Sequence, residues 1–142
     1  MEYDPNEALK LKNQLCFPLY AAARKIVNAY QPHLKPLGLT YTQYIVFLVL
    51  WEEDGLTVSE IGDRLLLDSG TITPLLKKLE EMGYVERRRS SLDERSVEIF
   101  LTDPGRALKE KAAKIPLSMA NCTVLTREEA GTLYSLLHKI ID

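Results

Sequence analysis

The side chain with the most chemistry to offer is the thiol of Cys16, set in the apolar run Leu15-Cys16-Phe17-Pro18-Leu19-Tyr20. A cysteine thiolate attacks peroxide oxygen and rises reversibly to a sulfenic acid, so a thiol in a greasy setting can take an oxidant as its signal. Two tyrosines, Tyr30 and Tyr41, flank the junction to the next segment. The plainer reading of Cys16 is a small buried hydrophobe, the commonest role of free cysteine. Either way, its neighbours predict a place in the core. Cys122 lies far off in sequence. Two such cysteines make no disulfide framework, and in a reducing compartment both rest as thiols.

A second set of residues points to nucleic acid. Arg87-Arg88-Arg89 is followed by Ser90-Ser91-Leu92-Asp93-Glu94 and Arg95. A guanidinium on a protruding loop suits the negative potential of a minor groove, while neighbouring arginines hold phosphates. Asp93, two residues before Arg95, is placed to brace that arginine in an extended pose. Upstream, Ser69, Thr71 and Thr73 offer short hydroxyls to base edges or phosphates, and Lys77 and Lys78 suit phosphates. Residues 68–96 carry six basic and six acidic side chains, so the argument rests on placement and not on net charge.

These residues need a frame. Leu9, Leu15-Cys16, Leu19-Tyr20, Ala23, Ile26-Val27 and Tyr30 recur at spacings of three and four, the stripe of one long helix. Pro32, Pro36 and Gly38 are expected to end it. Pro18 is expected to kink it beside Cys16 by removing the bond to the Gln14 carbonyl. Thr40-Tyr41-Thr42-Gln43, Thr57-Val58-Ser59-Glu60 and Thr126-Arg127-Glu128-Glu129 each carry capping-box spacing ahead of an apolar run. A short helix over 58–65, a turn at Leu67-Asp68-Ser69-Gly70 and a second helix over 71–82, stopped by Gly83, make a helix-turn-helix. Residues 84–89 and 96–101 flank the polar tip, and Val97, Ile99 and Leu101 alternate as a buried strand face should. Asp103-Pro104 reads as an N-cap and first-turn proline, opening a helix through Lys114 or beyond that Pro116 bends or ends. The fold expected is mostly α with a small two-stranded β wing.

Composition narrows the classes. The chain has 142 residues, 46% hydrophobic and 27% charged, the profile of a globular domain with room for a real core. A net charge of −2 lends nucleic-acid binding no support of its own. No stretch approaches the roughly 20 apolar residues of a membrane span. The start, Met1-Glu2-Tyr3-Asp4-Pro5, has neither the basic nor the apolar region of a signal peptide, so a cytoplasmic location without a membrane partner is expected. His33 and His138 stand apart from the cysteines, so no metal site is expected. With no phosphate loop, nucleophile elbow or nucleotide fingerprint, neither a cofactor nor enzymatic activity is expected.

Across Leu65-Leu66-Leu67-Asp68-Ser69-Gly70-Thr71-Ile72-Thr73-Pro74-Leu75-Leu76-Lys77-Lys78-Leu79-Glu80 and Asp93-Glu94-Arg95-Ser96, the chain resembles the MarR family of winged-helix regulators. Asn13-Gln14-Leu15-Cys16-Phe17, Tyr20, Tyr30 before Gln31-Pro32, and Leu39-Thr40-Tyr41-Thr42-Gln43-Tyr44 make it similar to the organic-hydroperoxide-sensing OhrR branch. The resemblance runs from about residue 9 to the C-terminus. It implies a repressor: a homodimer with interleaved first and last helices, bound to a pseudo-palindromic double-stranded DNA operator. It implies one domain over 1–142, with dimerisation helices over about 6–33 and 103–142 and the winged helix-turn-helix over about 40–102. Cys16 matches the peroxide-reactive cysteine, Tyr30 and Tyr41 the tyrosines that bond to it from the partner subunit, and Tyr20 another tyrosine of that network. Cys122 lies near the position of a resolving cysteine in some relatives.

Elementary geometry is compatible with that arrangement. Cys16 and Tyr30 are fourteen positions apart, about 21 Å along a helix at ~1.5 Å per residue. They do not touch within one straight helix, whereas two antiparallel copies about a two-fold axis would bring them together. Phenolic donors stabilise a thiolate without a competing charge, and Leu15, Phe17 and Leu19 favour an organic hydroperoxide over a small polar oxidant. Oxidation would then shift the dimer helices and spoil the spacing of about 34–36 Å that two recognition helices need. The alternative is a MarR-type repressor released by a small aromatic ligand near Tyr30, Tyr41 and Trp51, with Cys16 incidental. A thiol peroxidase is a further rival, distinguished by many turnovers per thiol.

Overall fold

The computed structural model describes residues 4–142. Met1, Glu2 and Tyr3, which belong to the segment read for a leader pattern, lie outside the described residues. The chain forms two compact units. One comprises the described residues up to Ala29 together with Pro116–Asp142; the other is Tyr30–Ile115.

A short helix α1 (Pro5–Ala8) and a 3-10 turn (Leu11–Asn13) precede the long helix α2 (Cys16–Leu34). The expected stripe from Leu9 onward is therefore not one helix. Gln14 is extended, with φ −98° and ψ 107°, and breaks it. Pro18 supplies the reason, since a proline ring clashes with a helical residue four positions earlier but fits a first turn, where its missing N–H is not needed. It sets the start of α2 instead of kinking it. Pro32, expected to end the helix, lies inside α2. The stop comes later, at a 3-10 turn (Lys35–Leu37) and Gly38, whose φ of 68° suits glycine.

The second unit holds the finished core. Helix α3 (Tyr41–Glu52) is opened by Thr40 and Gln43 in a full capping box. Strand β1 (Leu56–Thr57) leads into helix α4 (Val58–Leu65), again capped reciprocally, by Thr57 and Glu60. Helix α5 (Ser69–Glu81) starts at Asp68, whose carboxylate accepts from the Thr71 backbone N–H at 2.8 Å, two residues earlier than the sequence suggests. Strands β2 (Val85–Arg89) and β3 (Val97–Leu101) form the hairpin. The sheet is not two-stranded, because β1 pairs antiparallel with the other edge of β3, giving the order β1-β3-β2. Phe47, Leu50, Ile61, Ile72, Leu76, Leu79, Val85 and Ile99 are fully buried and fuse the helix-turn-helix to the sheet.

Helix α6 (Asp103–Ala112) is capped by Thr102, not by Asp103, and belongs to this same unit. The helix expected through Lys114 stops at Ala112, and Pro116 falls in the first turn of a separate short helix, α7 (Ile115–Met119). Helix α8 (Arg127–Ile141) follows, opened by the Thr126 and Glu129 capping box. Its apolar residues Leu133, Leu136, Leu137, Ile140 and Ile141 are all exposed. Among the described residues, no helix is long and apolar enough to cross a membrane.

Candidate functional site

The candidate recognition surface lies where α4, α5 and the hairpin meet. Ser69 and Thr71 lie exposed in the first turn of α5, Lys77 and Lys78 are exposed further along it, and Thr73 is half-buried. A groove of about 530 Å³ is lined by Thr57, Val58 and Ser59 at the start of α4, by Asp68, Ser69 and Thr73, and by Arg87, Arg95 and Ser96 on the hairpin. Residues chosen from two separate sequence patterns thus meet along one cleft. The α4 hydroxyls were not singled out by sequence, although the capping signature that precedes them marks a helix N-terminus.

The arginine triplet divides by strand alternation. Arg87 pairs with Ile99 in register, on the inward face, and Arg88 pairs with Glu98 on the outward one. The Arg88 guanidinium bonds to Glu86 at 2.6 Å and lies 4.7 Å from the centre of the Phe100 ring. It is thus committed to the face opposite the groove. Arg89 is exposed near the tip. Asp93 braces Arg95 through the main chain: its carboxylate accepts the Arg95 backbone N–H at 3.0 Å and the Ser96 hydroxyl at 3.2 Å. That turn leaves the Arg95 side chain free to project.

Pairing resolves the local charge balance. Glu80 faces Arg87 at 3.9 Å, Glu81 faces Lys78 at 3.5 Å and Glu86 holds Arg88. Among the described residues, Lys77, Arg89 and Arg95 are left without an acidic partner. These cations are the ones available to phosphate. At the α4 start, hydrogen bonds from the Thr57 backbone and hydroxyl hold Glu60 below the usual 4.5. Arg64, raised by its pairing with Glu53, ties α4 to the end of α3.

Cys16 is exposed, contrary to the core position that its neighbours suggest. Leu15 and Phe17 beside it are exposed as well, so the apolar start of α2 is not covered by this chain. Tyr20 is also exposed, with the Arg24 guanidinium 5.4 Å from its ring centre. In the other unit Tyr30 and Tyr41 meet, with ring centroids 5.0 Å apart. Tyr44, part of the Leu39–Tyr44 motif but given no role there, completes the group at 5.7 Å from Tyr30 and 6.4 Å from Tyr41. It is 3% exposed, and burial first, then Tyr41, pushes its phenol above 10.0. Trp51 serves the scaffold: its indole donates to the Gly105 carbonyl at 3.0 Å and stacks on Phe47. Cys122, exposed, lies between α7 and α8. No cluster of three or more metal-ligating side chains occurs among the described residues.

Known proteins share this frame. Residues 28–112 match the family model described as transcriptional regulator SarA/Rot. The chain belongs to that family. It is 46% identical to the organic hydroperoxide resistance transcriptional regulator of Bacillus subtilis, over 94% of this chain and 91% of the relative. The regulator TtmR of Methylorubrum extorquens is 52% identical, over 93% of this chain and 68% of that protein. Among solved structures, reduced AbfR bound to DNA matches with a TM-score of 0.80 at 38% identity, covering 96% of this chain and 94% of that one. AbfR, a Staphylococcus epidermidis protein, has also been solved in a disulfide-formed state, which matches with a TM-score of 0.66. Family and fold are those of MarR-type winged-helix regulators, and the named relatives are regulators of transcription, not enzymes.

Proposed function

We propose that this protein is a homodimeric repressor that grips operator DNA through α5 and the wing and lets go when an organic hydroperoxide oxidises Cys16. The observation that carries the reading is the joint exposure of Cys16, Leu15 and Phe17. A thiol meant only for packing would be covered by its own chain, whereas one completed by a second copy is left open in a single chain. The uncovered apolar residues of α8 supply further surface for such a partner. The names of the relatives point the same way, one a hydroperoxide resistance regulator and another solved both on DNA and with a disulfide.

The chemistry balances without a cofactor. The Cys16 thiolate attacks the terminal peroxide oxygen, the O–O bond breaks and the departing alkoxide takes a proton to become an alcohol. Sulfur gains oxygen and is oxidised to the sulfenic acid; the hydroperoxide is reduced. Tyr30 and Tyr41 of the partner would donate to the thiolate beforehand and lose that geometry afterwards, with Tyr20 nearby. DNA contacts would fall to Ser69, Thr71, Thr73, Lys77, Arg89 and Arg95.

An operator-binding titration tests the reading. Cumene hydroperoxide should release wild-type protein and leave the Cys16→Ser variant bound. Release of both would favour a ligand mechanism with an incidental thiol, and release of neither would refute peroxide sensing. Non-reducing electrophoresis after oxidation assigns Cys122: a crosslinked dimer lost in Cys122→Ser makes it the resolving thiol, and no crosslink removes it from the mechanism.

A further inference from the structure

Arg87 occupies an unexpected position. In strand alternation it follows Val85 on the inward face and stands opposite the fully buried Ile99, where a sheet would ordinarily place an apolar side chain. Its side chain is 26% exposed, and its Nε is buried without a hydrogen-bond partner, 3.9 Å from the Glu80 carboxylate on α5. A half-buried cation costs desolvation that only a nearby anion offsets. Glu80 is that anion. Arg87 also borders two concavities at once, the 530 Å³ groove toward Ser69 and Thr73 and a smaller one toward Lys77. It therefore stands where the wing meets the recognition helix.

We propose that Arg87 is a positioning residue, which with Glu80 fixes the angle between the wing and α5 instead of gripping a phosphate itself. The inference rests on the DNA-binding reading above, and it divides the arginine triplet into three tasks. Arg89 is free for phosphate, Arg88 is bound to the outer face, and Arg87 ties the hairpin to α5. A shift of about 1 Å turns the Glu80 contact into a charge-assisted hydrogen bond, so closure of the wing on DNA would tighten it.

Salt dependence separates a brace from a phosphate contact. Each phosphate contact contributes about 0.9 to the slope of log affinity against log salt. Arg87→Gln and Glu80→Gln should each weaken operator binding by about tenfold with the slope unchanged, and the double variant should lose no more than either. Lys77→Gln should lower the slope by about two, one phosphate contact per subunit of the dimer, which calibrates the assay. If Arg87→Gln lowers the slope while Glu80→Gln strengthens binding by removing a negative charge, Arg87 touches phosphate and the inference is overturned. Amide hydrogen exchange in the free protein gives a readout that needs no DNA. Both single variants should speed exchange in residues 85–89 and 97–101 alike, and unchanged exchange rules out the tether. A wild-type protein that binds no operator would sink the DNA reading alone, since the exchange result still decides the brace.

Discussion

The two units of the chain treat apolar surface in opposite ways. In the unit Tyr30–Ile115 the large side chains are packed away, and its exposed ones are Leu48, Leu66 and Leu92 among the described residues. In the terminal unit Leu9, Leu11, Leu15, Phe17 and nearly the whole apolar stripe of α8 stand open. Contiguous patches of this kind mark interaction sites more often than they occur by chance on a monomer. The contrast teaches that the unit holding the winged helix-turn-helix buries its core within one chain, while the unit carrying both cysteines leaves its apolar surface open. A second copy is the partner that the proposed function requires.

The most severe way to break this contrast is to make the open face polar. Leu136→Glu with Ile140→Glu should convert the proposed dimer to monomers by analytical ultracentrifugation and cost operator affinity about 10²–10⁴-fold through lost bivalency. The circular dichroism of the helix-turn-helix should stay intact, because neither residue belongs to that core. The closed unit should respond to the reverse insult, an added methyl. A Cβ at Gly105 would stand 2.2 Å from the Tyr84 carbonyl oxygen. Gly105→Ala should lower stability by about 1–3 kcal/mol in urea unfolding. No such loss fits a loosely packed interior.

Smaller effects sharpen the comparison. Each unit has a capping box whose glutamate sits below the usual 4.5, Glu60 through Thr57 and Glu129 through Thr126, by hydrogen bonds from backbone and hydroxyl. A carboxylate depressed on folding stabilises the native state above its unfolded value of about 4.3, and the benefit vanishes as pH falls through the folded value. The thermal midpoint should therefore drop on acidification below about pH 4.5. Thr57→Ala and Thr126→Ala should each shrink that drop in a melting series. The smallest expected change is a gain. Leu66 ends α4 with φ 54° and is 66% exposed, so Leu66→Gly relieves left-handed strain with little burial lost. A stabilisation of up to about 1 kcal/mol is expected, partly offset by the freer unfolded chain.

Much of the frame was legible because it was local. Thr40, Thr57 and Thr126 announced their helices, since a capping box is satisfied within four residues. Strand β1 was not legible: two residues show no alternation, and only pairing with Glu98 and Ile99 makes them a strand. Periodicity does not reveal the start of α2, because the apolar stripe runs on past Gln14 while Pro18 disfavours a helical residue there. For the site, sequence marked the basic residues but not their faces. The Arg87–Glu80 contact joins a strand to a helix, and no spacing rule reports it. Periodicity likewise marks Cys16 as apolar without telling that its own chain leaves it exposed.

The central claim couples the oxidation state of one sulfur to occupancy of DNA. Its most direct test is to add substoichiometric cumene hydroperoxide to the protein–operator complex and follow Cys16 by mass spectrometry and bound DNA by anisotropy in the same samples. The account predicts that the fraction of operator released rises with the fraction of Cys16 oxidised and reverses with thiol reductant. Complete oxidation of Cys16 with the operator still fully occupied would contradict it.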